Sequence, residues 1–82
     1  MYKNKNKDGT LNLCGPKIKE LRLSLKPAVS QRMLADQLQL IGTDLDKNAV
    51  QKIESGKRFV TDIEVVAFAE VFHITTDELL KK

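Results

Sequence analysis

Apolar residues recur at intervals of three and four positions along most of the chain, which is the pattern of amphipathic α-helices. No stretch combines the alternation of a strand with turn signals at its ends. The sequence therefore predicts an all-α domain of five helices. The residues expected to line its core are Ile18, Leu21 and Leu25; Met33, Leu34, Ala35, Leu38 and Ile41; Val50 and Ile53; and Val65, Phe68, Ala69 and Phe72, while the fifth helix ends in Leu79 and Leu80.

Helix boundaries are marked by residues that can cap or stop a helix. Small polar residues precede the later helices, where their side-chain oxygens can accept hydrogen bonds from backbone N–H groups, and glycines follow two of them. Thr followed three residues later by Glu is the capping-box pattern. The predicted boundaries are Gly15-Pro16 and Pro27 for the first helix, Ser30 and Gly42 for the second, Asp46 and Gly56 for the third, Thr61 with Glu64 for the fourth, and Thr75 with Glu78 for the fifth.

The 82 residues suffice for one small domain. Residues 1–13 contain Lys3, Lys5 and Lys7, and the run from Lys3 to Gly9 offers no apolar face. They predict a flexible basic N-terminal tail ahead of a domain over residues 14–82.

Charge runs from basic to acidic along the chain. Residues 1–26 contain seven Lys/Arg against two acids, residues 27–58 five against four, and residues 59–82 two against five. This polarity favours one end that faces an anion and one that does not.

Several classes of protein do not fit the composition. No apolar run is long enough for a membrane span, and no signal-peptide pattern follows Met1. Cys14 is the only cysteine, and no metal-binding, phosphate-loop or nucleophile motif is present. We therefore expect a cytoplasmic protein that is not an enzyme, has no cofactor or metal and does not bind a membrane.

The stretch from Ser30 to Gly56 carries the functional signal, because it joins two short capped helices by a turn that contains glycine. This is the pattern of a helix-turn-helix, whose second helix can enter the DNA major groove. Side chains facing away from Val50 and Ile53 suit that role, since amides pair with base edges and ammonium groups with phosphates or guanine. These are Lys47, Asn48, Gln51 and Lys52. The alternative is a solvated helix face with nothing bound.

From Ile18 to Leu80 the chain resembles the Cro/phage-repressor family of helix-turn-helix regulators, also called the xenobiotic-response-element (XRE) family. The pieces that carry the resemblance are Leu21-Arg22, Ser30-Gln31, Leu34-Ala35, Ile53-Glu54-Ser55-Gly56-Lys57 and the run from Thr75 to Leu80. The resemblance implies a compact, lambda-repressor-like five-helix domain that binds operator DNA, usually as a dimer. The sequence departs from the family by a longer segment between Ala35 and Glu54, interpreted as an extra turn of the second helix, and by a long connection before Ser30.

The resemblance also assigns residues. It places Gln31 on the sugar–phosphate backbone, puts Lys47, Asn48, Gln51 and Lys52 at recognition-helix positions, and implies an ion pair between Arg22 and Glu54. Because they flank the recognition helix, Arg32, Lys57 and Arg58 are expected to contact phosphates beside Gln31.

A second apolar surface on the fourth helix predicts a homodimer. Ile63, Val66 and Ala67 lie opposite its core stripe and, with Leu79 and Leu80, are the expected interface, unless the chain's own C-terminal residues cover them.

The predicted function is that of a small transcriptional regulator, a repressor, that binds double-stranded DNA. The alternative is an antitoxin-like or adaptor module that binds a small protein partner. His73 is interpreted as a helix-end residue in the left-handed conformation.

Overall fold

A computed structural model describes residues 9–80 of the protein. These residues form five α-helices and no strand, which confirms the predicted all-α class. The helices are α1 (Gly15–Ser24), α2 (Gln31–Leu40), α3 (Lys47–Glu54), α4 (Asp62–Phe72) and α5 (Thr76–Leu80). No helix in this range is long and apolar enough to cross a membrane.

The caps that the sequence predicts for α2, α3 and α4 are present. Ser30 Oγ accepts from Met33 N at 3.1 Å and Asp46 Oδ1 from Ala49 N at 2.8 Å. Thr61 and Glu64 form a reciprocal capping box at the start of α4. These bonds satisfy N–H groups that a helix start leaves without a partner, so they set where each helix begins.

Helix α3 packs against α1 and α2, α4 packs against α2 and α5, and α5 also contacts α1. One apolar core joins the helices. Among its most deeply buried members are Phe68, Ile18, Leu34, Leu38, Leu45, Ile53, Leu79 and Val50.

Two residues of the predicted stripe on α2 are outside the core. Met33 is 48% exposed and Ile41 is 46% exposed. Met33 lies about 100° around the helix from Leu34, on the side away from the buried Ala35 and Leu38. Ile41 follows the last helical residue, so the chain leaves the helical path before its side chain can join the stripe. Leu45 and Val29, from the two connections beside α2, fill core space instead.

The predicted tail ends earlier than residue 13. Leu11 N donates to Gly56 O at 2.9 Å, and the side chain of Asn12 bonds to two backbone carbonyls. Within the described residues the chain is therefore attached to the domain from Thr10 onward. Residues 1–8 of the predicted tail lie outside the described part.

Candidate nucleic-acid interface

Helix α3 presents a polar face because its apolar residues point into the core. Val50 and Ile53 are completely buried. The four side chains predicted to read DNA are exposed along the rest of the helix, within a span of two turns: Lys47, Asn48, Gln51 and Lys52. Two ammonium groups and two carboxamides thus share one surface.

A buried ion pair fixes α3 against α1. Arg22 Nε donates to Glu54 Oε2 at 2.8 Å and Arg22 Nη2 to Glu54 Oε1 at 3.0 Å, with side chains 9% and 3% exposed. Arg22 Nη1 also donates to the carbonyl of Val29 at 2.9 Å. The two-point geometry restrains both side chains, as predicted, and sets the orientation of α3.

The start of α2 joins this network. Gln31 Nε2 donates to Glu54 Oε1 at 3.1 Å, so one carboxylate links α1, α2 and α3. Gln31 is partly buried, whereas Arg32 beside it is exposed. Gln31 was predicted to touch the DNA backbone. In this structure its amide is bonded to the carboxylate of Glu54 in α3.

A shallow depression brings cations from three helices together. Lys19 of α1, Arg32 of α2 and Lys47 of α3 line it with Ser30, Gln31 and Arg22. The sequence prediction missed Lys19. The signal was its position, since Lys19 precedes Arg22 by one helical turn and Arg22 was already expected to face α3.

The two cations that follow α3 differ in their surroundings. Lys57 is exposed, and its backbone N–H donates to Lys52 O at 2.9 Å. Arg58 instead donates to both carboxylate oxygens of Glu64, at 3.0 and 3.2 Å, and to the carbonyl of Phe59. This contact separates Arg58 from the other cations predicted to meet phosphate.

The Arg58–Glu64 contact also sets the titration of both groups. The hydrogen bond to Glu64 raises the pKa of Arg58. Burial by itself would raise the pKa of Glu64, but the hydrogen bonds from Arg58 and from Thr61 outweigh it and lower that pKa below its ordinary value. Both partners therefore stay charged in the folded protein near neutral pH.

Positive charge is confined to some of the elements in the described part of the chain. Every Lys and Arg of the described residues lies in 17–32 or 47–58, and residues 33–46 and 59–80 contain none. The cations thus belong to α1, the α1–α2 connection, the first turn of α2, α3 and the residues after it, whereas α4 and α5 carry acids.

Helix α4 presents the second candidate surface. Ile63 is 74% exposed and Val66 is 48% exposed, and Leu80 of α5 lines the same groove as Val66. The interface prediction is wrong for two residues. Ala67 is buried in the core that α4 shares with the helices packed against it, α2 and α5, and Leu79 is completely buried in the same core.

The remaining candidates are structural. No group of His, Cys, Asp and Glu within residues 9–80 could hold a metal ion. Cys14 is buried, and burial raises the pKa of its thiol to about 11. His73 ends α4 with φ of 56°, the left-handed conformation expected for it.

Comparison with protein-family models, curated proteins and solved structures returned no match for this chain.

Proposed function

We propose that the protein is a small transcriptional regulator of prokaryotic or phage type, a repressor, that binds double-stranded DNA with sequence specificity. In this proposal α2 and α3 form a helix-turn-helix of the Cro/phage-repressor (XRE) kind, on a lambda-repressor-like fold, and α3 enters the major groove. The proposed regulator acts in the cytoplasm.

One observation carries the proposal: α3 is held rigidly by its buried side, and its exposed side holds only groups that suit DNA. Glu54, Val50 and Ile53 anchor the helix. Asn48 and Gln51 have the amide chemistry that pairs with adenine, and Lys47 and Lys52 can reach phosphate or guanine. A preorganised polar helix loses little conformational freedom when it docks.

The cations around α3 support the same proposal. Lys19 and Arg32 border its first turn across the shallow depression, and Lys57 follows its last turn. Phosphate contacts on both sides of a recognition helix fix its register on the duplex. Gln31 and the first turn of α2 add a helix N-terminus, which favours a phosphate group.

A homodimer completes the proposal. Ile63, Val66 and Leu80 expose apolar area on helices that carry no Lys or Arg. If a twofold axis passes there, the two α3 helices would lie about 34–36 Å apart and the operator would be nearly palindromic.

Selection of bound duplexes from a random DNA pool tests the proposal. We expect enrichment of one nearly palindromic sequence, with affinity for it that falls steeply as salt rises. The double variant Lys47→Ala/Lys52→Ala should lose enrichment, whereas Lys26→Ala, an exposed lysine that does not line the depression, should retain it. A wild-type protein that enriches no sequence and binds without salt dependence rejects DNA recognition.

A second candidate, the antitoxin-like or adaptor module, is favoured by a different observation. Leu40 is 86% exposed and Ile41 is 46% exposed, and both line a groove with Val71, Glu70 and His73. A protein partner bound there should be lost in Leu40→Ser, while DNA enrichment is unchanged.

A further inference from the structure

The side chain of Asn12 joins three separate backbone segments. Its Nδ2 donates to Ile53 O at 3.0 Å and to Arg58 O at 2.8 Å, and its Oδ1 accepts from Gly15 N at 2.8 Å. Both amide hydrogens and the carbonyl are used, and Asn12 is partly buried. One carboxamide therefore ties the start of α1 to the end of α3 and to the connection that follows.

The surrounding contacts leave little room for this arrangement to change. A Cβ on Gly15 would overlap the carbonyl oxygen of Ile53, so α1 begins directly against the end of α3. A Cβ on Gly56 would lie 2.7 Å from Cγ2 of Thr10, and Gly56 has a φ of +77° that favours glycine. The segment 10–12 thus packs closely on the turn after α3.

Lys57 lies between two carbonyls that this segment holds. The carbonyl before it, of Gly56, accepts from Leu11 N at 2.9 Å. The carbonyl after it, of Arg58, accepts from Asn12. The backbone N–H of Lys57 itself donates to Lys52 O in α3. The backbone of Lys57 is therefore fixed relative to α3 while its side chain stays exposed.

We infer that Asn12 is a positioning residue of the DNA-contacting surface, acting through Lys57, an inference that rests on the proposed function. By holding the carbonyls of Ile53 and Arg58, Asn12 sets where the backbone of Lys57 stands relative to the exposed face of α3, and so the region that its ammonium group can reach. The phosphate that Lys57 contacts and the bases that α3 reads are thereby kept in one register.

A double-mutant cycle tests this coupling. Affinities for the selected duplex are measured over a salt series for wild type, Asn12→Ala, Lys57→Ala and the double variant. We expect Lys57→Ala to reduce the salt slope by about 1. Asn12→Ala should weaken binding by roughly tenfold, since residues that act together couple by about two- to a hundredfold. In the Lys57→Ala background it should add less than about twofold.

Lys47 supplies the matched control, because it is an exposed lysine at the other end of α3. Asn12→Ala should keep its full effect in the Lys47→Ala background. An equal effect in the Lys47→Ala and Lys57→Ala backgrounds overturns the inference, since Asn12 would then act on stability alone.

A measurement without DNA separates this inference from the proposed function. Amide hydrogen exchange at Lys57 should become faster in Asn12→Ala, while exchange at Val50 and Phe68 stays as in wild type. If that variant does not fold, Asn12→Asp takes its place, since it keeps the acceptor for Gly15 N and loses both amide donors. Unchanged exchange at Lys57 rejects the positioning role, whereas absence of DNA binding by the wild type rejects the proposed function.

Discussion

Helices α3 and α4 both bury an apolar side, yet their exposed sides differ in kind. The outer face of α3 carries lysines and carboxamides, whereas that of α4 carries Ile63 and Val66 beside acids. An acid anchors each helix: Glu54 lies in a buried pair with Arg22, and Glu64 in a more exposed pair with Arg58. The contrast teaches that one small domain can present two exposed surfaces of different chemistry, one basic and polar and one apolar.

The largest expected effect concerns the anchor of α3. Glu54→Ala leaves the Arg22 guanidinium buried without its partner and should cost about 3–5 kcal/mol in the free energy of unfolding. Urea denaturation measures it. The double variant Arg22→Met/Glu54→Leu should recover most of the loss, because two apolar side chains can replace a buried pair. A loss below about 1 kcal/mol in Glu54→Ala would show that the pair does not anchor α3.

The next effect concerns the exposed face of α3. Gln51→Ala should cost about 1–3 kcal/mol of binding free energy at a single base pair and relax specificity there. Competition between duplexes that differ at one position measures this. As the matched comparison, Lys57→Ala should weaken all duplexes alike. Uniform weakening by Gln51→Ala would remove α3 from base recognition.

The exposed face of α4 should respond in a different assay. Val66→Glu places a carboxylate on the proposed dimer surface and should weaken dimerisation by at least about fivefold. Sedimentation equilibrium measures the change, and Gln51→Ala serves as the control that leaves the dimer intact. If Val66→Glu leaves dimerisation unchanged, the interface lies elsewhere on the protein. If the wild-type protein is a monomer and binds its best DNA site as one copy, the dimer is rejected.

The smallest effect belongs to the pair beside α4. Arg58→Ala should cost about 0.2–1 kcal/mol of stability, since Arg58 is partly exposed to solvent. Because Arg58 is held by Glu64, its loss should leave the salt slope of DNA binding nearly unchanged, unlike Lys57→Ala. If Arg58→Ala instead reduces the salt slope of DNA binding by about 1, Arg58 contacts a phosphate, as the sequence predicted.

The pH dependence of the same pair has a definite sign. The pKa of Glu64 is lower in the folded than in the unfolded state. Its contribution to stability is therefore fully present above the ordinary pKa of the carboxyl and is lost as pH falls through the lowered value. Thermal melts of Glu64→Gln should show less acid sensitivity than wild type. An identical decline in both proteins would contradict the assignment.

Much of the fold could be predicted because its signals are local. Ser30, Asp46 and Thr61 cap their own helices through neighbouring N–H groups, so short sequence patterns suffice to find them. The exposed face of α3 followed from the spacing of Val50 and Ile53 alone. The pair of Arg22 and Glu54, 32 residues apart, came from the family resemblance and not from spacing.

Other features depended on contacts between distant parts of the chain. The sequence predicts that Asn12 belongs to the tail. Its amide donates to the carbonyls of Ile53 and Arg58, some forty positions later in the chain, which only folding brings close to it. Arg58 resembles Lys57 in the sequence, and only the capping carboxylate of Glu64 distinguishes them. Ala67 lies opposite part of the apolar stripe, yet it belongs to the core where α4 packs against other helices.

By itself the sequence determined the helices, their caps and the division of charge, since each depends on neighbouring residues or on residue type. The tertiary structure alone decided which exposed groups are free to meet a partner and which are held by the protein. The reason is physical: a hydrogen bond or a buried contact needs two groups within a few ångströms, and for Asn12, Arg58 and Ala67 the second group is brought there by folding.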